Sequence, residues 1–292
     1  MQRNEHPLAP QTVNFTADNG LTIRGEAWGM SDAPPVLLLH GGGQTRYAWG
    51  NTARTLAAQG WYAIALDLRG HGESDWASDG DYSIDAFIAD LRGVAARLSQ
   101  APALVGASLG GITSLLAEGE ATEPMSTAVV LVDVTPRIEE KGAERILSFM
   151  KAYPQGFARL EEAADAVAEF LPHRSRPRDL SGLAKNVRQG PDGRYRWHWD
   201  PQMLNSFQLD RVRNPARMLA AAKGLRSPTL LVRGRMSDMV SEAAVAEFRS
   251  LAPHAQYVDV ADASHMVAGD RNDAFSEAVV NFLAQCREHT SA

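Results

Sequence analysis

The sequence predicts an α/β protein: a mostly parallel central sheet flanked by helices. Three observations carry this. Short apolar runs alternate with amphipathic helical patterns, the rhythm of right-handed βαβ crossovers. Several of those runs stop at glycine-rich loops, as in "LLLHGGGQ" and "LVGASLGG". The rhythm breaks after Asp133 and resumes near residue 214, so a segment is inserted into the sheet protein.

Each element follows in order. "TVNFTADNGLTIRGEAWG" alternates and turns on Asn19-Gly20, an antiparallel hairpin. "PPVLLLHGGG" is a buried strand entering a loop. "TARTLAAQG" is a helix with Gly60 as its C-terminal cap. "WYAIALDLRGHGES" is a second buried strand with a glycine-rich loop, and "SIDAFIADLRGVAARL" an amphipathic helix opened by Ser83. "PALVGASLGG" is strand and turn, "GITSLLAEGE" a helix, and "STAVVLVDVTP" a strand. After the insertion come "SPTLLVRGRMSD", the helix "SEAAVAEFRSLA", the strand in "AQYVDVADASH" and the closing helix "DAFSEAVVNFLAQC". The expected organisation is a core of residues 1–136 and 214–292, with 137–213 as a helical cap over the strand ends.

Composition narrows the function. The chain has 292 residues and a net charge of −6, with no basic stripe to suggest nucleic acid. No apolar run approaches bilayer length, and "MQRNEHPLAP" lacks the apolar core of a secretory signal. One cysteine excludes an intrachain disulfide, so a cytoplasmic protein is expected. Cys286, in a C-terminal helical pattern, reads as a small, partly buried residue. The expected partner is a small-molecule substrate, with a monomer or homodimer as the assembly.

The chemistry centres on Gly106-x-Ser108-x-Gly110. The serine sits between a strand and a helix, the context this motif needs. Such a turn exposes the hydroxyl above the sheet and puts the Leu109 amide at a helix N-terminus. A serine needs a base. Of eight histidines, His265 follows the last predicted strand. The base needs an acid to orient it. Asp238 follows the penultimate strand and Asp133 the strand after the nucleophile helix. The order Ser108, Asp238, His265 puts all three at strand C-terminal ends, where open parallel sheets form sites. Gly41, Gly42 and Gly43 follow a strand directly, and Gly42 and Leu109 are the expected oxyanion-hole donors. A phosphate cradle is the competing reading of these glycines, but no Lys-Ser/Thr follows. "LRGHGESD" lacks the third glycine of a dinucleotide fingerprint. Asp67, His71 and His40 read as loop-holding residues. Trp49, Trp197, Trp199 and Met266 are the expected substrate contacts, although the tryptophans around His198 also suit the core of a cap.

Together "HGGGQ" at 40–44, "DLRGHGESD" at 67–75, "GASLGG" at 106–111, "GRMSDMV" at 234–240 and "ASHMVAGD" at 263–270 resemble the α/β-hydrolase superfamily over nearly the whole chain. The pattern is similar to its capped esterase, carbon–carbon hydrolase and non-haem peroxidase-like branch. Epoxide hydrolases and haloalkane dehalogenases have aspartate where this chain has Ser108. The resemblance favours Asp238, whose loop matches the superfamily's usual acid loop, with Asp133 as the competitor. It implies an acyl-enzyme mechanism on a small, mostly apolar ester, thioester, lactone or cleavable ketone, with no metal or organic cofactor. A cofactor-free perhydrolase and a ligand receptor on the same scaffold are the alternatives.

Overall fold

A computed structural model describes residues 9–172, 179–206, 214–261, 263 and 272–290. The ten strands it describes are β1 (Gln11–Thr16), β2 (Thr22–Trp28), β3 (Pro35–Leu39), β4 (Tyr62–Leu66), β5 (Ala103–Ala107), β6 (Ala128–Val132), β7 (Val187–Gln189), β8 (Tyr195–Trp197), β9 (Thr229–Gly234) and β10 (Gln256–Val260). Eight form one sheet in the order β1-β2-β4-β3-β5-β6-β9-β10. β2 pairs antiparallel with both β1 and β4. The other neighbours pair in parallel, with Leu39 beside Gly106 and Val132 beside Val232.

The apolar strand runs have a simple cause. Successive side chains of a strand point to opposite faces, so a strand covered on both sides must be apolar throughout. Leu37, Leu39, Leu104, Val129, Leu131 and Leu231 enter one buried layer. Val36, Leu38, Ala103, Val105, Val130 and Val232 enter the other. Helices α2 (Ile84–Ala95) and α3 (Leu109–Gly119) supply the first layer through residues such as Phe87, Leu91 and Leu115. Helices α1 (Gly50–Ala58) and the closing helix (Asn272–Thr290) supply the second through Leu56, Phe275 and Phe282. Cys286 packs, partly buried, against that second layer, and burial pushes its thiol pKa up.

Local signals act as expected. Ser83 caps α2 by accepting from the Ala86 amide at 3.3 Å. Gly60 lies just past α1 with φ +80°. The first hairpin turns at Gly20, held by Gly20 N–H to Ala17 O at 2.9 Å and Ala17 N–H to Leu21 O at 2.8 Å.

β6 and β9 are neighbours, and the described residues between them lie outside the eight-stranded sheet. Within that segment lie α4 (Glu140–Lys151), α5 (Leu160–Phe170), α6 (Ser181–Ala184) and α7 (Met203–Ser206). The antiparallel hairpin β7–β8 lies among them. This hairpin is an addition to the helical segment expected from the sequence. Its residues are half-buried or exposed, so it lacks the apolar run that marks a buried strand. An aromatic cluster holds the segment together: Trp197 stacks on Trp199 at 5.2 Å, with Phe149 and Phe157 beside Trp197.

Candidate active site

The turn after β5 explains its own glycines. A Cβ on Gly106 would stand 2.3 Å from Gly110 O, and one on Gly110 would stand 2.4 Å from Leu39 O. Both obstacles are backbone, so neither can move aside. Ser108 between them takes φ +47° and ψ −112°, a conformation that costs a non-glycine residue about 1–3 kcal/mol. The turn is fixed by Ser108 N–H to Val132 O at 3.2 Å, Gly110 N–H to His40 O at 3.1 Å and Ile112 N–H to Ser108 O at 2.8 Å. Its result is a half-buried serine at the N-terminus of α3.

The Leu109 amide opens that helix and has no acceptor among the described residues. Across from it lies the loop 40–44, with a Cβ position on Gly41 only 3.3 Å from Ser108 Cβ. Two of its three glycine amides are engaged: Gly41 N–H donates to Gln44 Oε1 at 2.9 Å and Gly43 N–H to His71 Nε2 at 3.1 Å. The Gly42 amide has no acceptor among the described residues, and the space where its Cβ would be is open.

Three buried histidines set this loop. His40 Nδ1 donates to Gly41 O at 2.7 Å, while its Nε2 accepts from Leu68 N–H at 3.0 Å. His71 Nδ1 donates to Arg69 O at 3.0 Å, leaving Nε2 to accept from Gly43. His198, from the inserted segment, accepts Gly72 N–H on Nδ1 at 2.8 Å and donates from Nε2 to Gly43 O at 3.3 Å. Each ring therefore works as both donor and acceptor, which only neutral imidazole can do. Burial lowers His40 to about 4 and His71, with His40 beside it, to about 3. Burial first, then the other two rings, holds His198 well below its usual value. The folded pKa values lie below the free value of 6.5, so the unfolded chain binds more protons in this window. Stability supplied by these rings is lost as pH falls below about 6.5 toward their folded values. In nitrogen-15 spectra all three rings should remain neutral at about pH 5.5. A ring that titrates near its free value would refute the assignment. His198 was the residue least legible in the sequence. Its only signal was its place between two tryptophans.

Asp67 and Arg46 brace the same region. Asp67 accepts from the Arg46 amide at 2.7 Å, from the Arg46 guanidinium and from the Glu73 amide at 2.9 Å. These bonds hold the loops after β3 and β4 together.

The two acid candidates differ sharply. Asp238, the expected acid, has a side chain 43% exposed and ion-paired with Arg145 of α4 at 2.9 Å. Asp133 is 1% exposed at the end of β6, the strand beside β5. It adopts φ +50°, and its carboxylate accepts from the Ser237 hydroxyl and from Gly234 N–H at 3.3 Å. Sequence reading did not single out Ser237, although it adjoins Asp238. His265 and Met266 lie outside the described residues.

The tryptophans also separate. Trp49, expected as a substrate contact, is 1% exposed and packs on Phe275 beneath the sheet. Trp199 is buried in the contact between the inserted segment and the core. Both are packing residues here, because bulky indoles fill core volume effectively. Trp197 remains half-buried beside Phe149. Met150 of α4 lies over the loop, with Cε 3.3 Å from a Cβ position on Gly43.

The family model of the alpha/beta hydrolase fold matches residues 34–271. The chain belongs to the α/β-hydrolase family. It is 31% identical over 268 residues to the esterase Rv0045c of Mycobacterium tuberculosis, covering 88% of this chain and 84% of that protein. It is 31% identical over 235 residues to 2-(acetamidomethylene)succinate hydrolase of Mesorhizobium japonicum, covering 75% and 77%. A crystal structure of an E-2-(acetamidomethylene)succinate hydrolase superposes with TM-score 0.82 at 23% identity, covering 94% of this chain and all of that one, a likeness of fold. A crystal structure of the M. tuberculosis esterase gives TM-score 0.76 at 30% identity, covering 94% and 92%. This α/β-hydrolase is accordingly a serine hydrolase of that fold. Among its described residues no helix is long and apolar enough to cross a membrane. Nor does any group of three or more His, Cys, Asp or Glu among them suit a metal ion.

Proposed function

We propose that the enzyme cleaves a small, mostly apolar carboxylic ester through an acyl-enzyme on Ser108. The observation that carries this reading is the strained φ of Ser108 beside two unclaimed amides, those of Gly42 and Leu109. Strain of this kind persists where surrounding structure over-determines it, and here it lifts a hydroxyl to the end of the sheet. His265 takes the Ser108 proton as Oγ attacks the acyl carbon. The oxyanion is received by the amides of Gly42 and Leu109. The leaving alcohol takes the proton from His265, and water then releases the acid by the reverse sequence.

Asp133 is the acid in this scheme, in place of Asp238. Its burial, its neighbouring strand and the two donors on its carboxylate support this; the exposed pairing of Asp238 with Arg145 argues for a surface role. Ser237 then steadies the carboxylate. The inserted segment serves as a lid, with Met150, Phe149 and Trp197 as the apolar wall. The relatives' names, an esterase and a hydrolase of an acetamidomethylene succinate, fit acyl or carbon–carbon cleavage; the apolar wall favours the neutral ester.

A chromogenic acetate ester tests the proposal. The expected trace is a burst followed by steady turnover, with a serine-directed phosphonate labelling Ser108 once and stopping both. A label on another serine, or a burst without turnover, would overturn it.

A further inference from the structure

One cavity among the described residues does not have Ser108 in its lining. It encloses about 720 Å³ at the seam between the core and the inserted segment. Arg24 and Arg46 line it from the core, and Lys185 and Arg188 from the inserted segment. His198 also lines it, and Glu73 is the one carboxylate in the lining.

The charges there are unevenly satisfied. Arg46 is held by Asp67, by Glu73 at 2.8 Å and by Glu26 at 3.5 Å, yet its buried Nε has no acceptor among the described residues. Arg24 reaches Glu73 only at 3.9 Å, and its buried Nε likewise lacks an acceptor. Lys185 has no carboxylate partner among the described residues; its ammonium rests 4.8 Å from the Tyr47 ring centroid. Arg188 has none either. Its guanidinium lies over Trp76 and donates to Gly72 O, which fixes it at the cavity wall. Aromatic faces and a backbone carbonyl orient these two cations without neutralising them. Four basic groups thus converge from two parts of the chain; carboxylates pair with Arg46, while Arg24, Lys185 and Arg188 have no carboxylate closer than Glu73 at 3.9 Å from Arg24 among the described residues. Cations clustered this closely repel one another unless an anion joins them.

We propose that this seam is a binding site for a compact, multiply charged oxyanion, bearing phosphate or several carboxylates. Its oxygens accept from Lys185 and Arg188 on one side and from the partly exposed Arg24 guanidinium on the other, with Arg46 adding its charge behind. The bound anion ties the inserted segment to the core. The site is separate from Ser108 and does not depend on the ester-cleaving reading.

Titration calorimetry at constant ionic strength, set with sodium chloride, tests this with inorganic pyrophosphate and with citrate. Saturable one-to-one binding of either probe is the expected result, and the better probe identifies the oxyanion class. The double variant Lys185→Gln/Arg188→Gln should weaken that binding about a hundredfold, the loss of two charge-assisted contacts. Phosphonate labelling of Ser108 should proceed unchanged in this variant. The single variant Lys185→Gln, at the segment's surface, gives the same test with about a tenfold loss should the double variant not fold. No saturable binding of either probe to the wild type overturns the site. So does equal binding by the folded variants.

Discussion

Ser108→Ala is expected to lower kcat by about 10⁴–10⁶ on any ester the enzyme turns over, with KM nearly unchanged. In the proposed scheme the hydroxyl forms a bond in the transition state and does little for ground-state binding, so its removal should appear in kcat. In that scheme the residual rate comes from the amides of Gly42 and Leu109, which would still receive an oxyanion formed by attacking water. Alanine keeps the Cβ and therefore the strain at φ +47°. Ser108→Gly should lose the same activity yet unfold at a higher temperature than Ser108→Ala. Glycine takes positive φ freely, and relief of strain outweighs its extra chain entropy by about 1 kcal/mol. Near-normal turnover by Ser108→Ala would remove the serine from the mechanism.

Asp133→Asn should cost about 10³–10⁴ in kcat, while Asp238→Asn should change it by no more than about twofold. The amide keeps the shape of the carboxylate and part of its hydrogen bonding to Ser237 and Gly234. It removes the charge that stabilises an imidazolium, and it can hold the wrong tautomer. Asp238→Asn breaks an exposed pair with Arg145, an interaction of small energy. Circular dichroism would show both variants folded. The opposite ranking would return the acid to Asp238 and leave Asp133 as a structural carboxylate. Ser237→Ala adds a finer check: a modest kcat loss with an altered acid limb of the pH–rate profile is expected if its hydroxyl steadies Asp133.

Several features were legible in the sequence because their causes are local. Alternation of side chains makes doubly covered strands apolar, so "VLLL", "ALV" and "AVVLV" announced a buried parallel sheet. A serine that must take positive φ between two close backbones needs glycines on both sides, so the spacing of Gly106, Ser108 and Gly110 carried its geometry with it. Other features depend on what meets across the fold. Asp133 and Asp238 both follow strands, and spacing alone does not separate them. Burial beside β5 and the hydroxyl of Ser237 distinguish one, and Arg145, 93 residues away, claims the other. Trp49 and Trp199 read as pocket walls in one dimension and pack as core in three. His198 reaches Gly43 across 155 positions of sequence. The sequence by itself determined the sheet, the Gly-x-Ser-x-Gly turn and the family. Only the tertiary structure decided which side chains of the inserted segment meet the loops of the core, because hydrogen bonds and burial between distant segments leave no periodic trace along the chain.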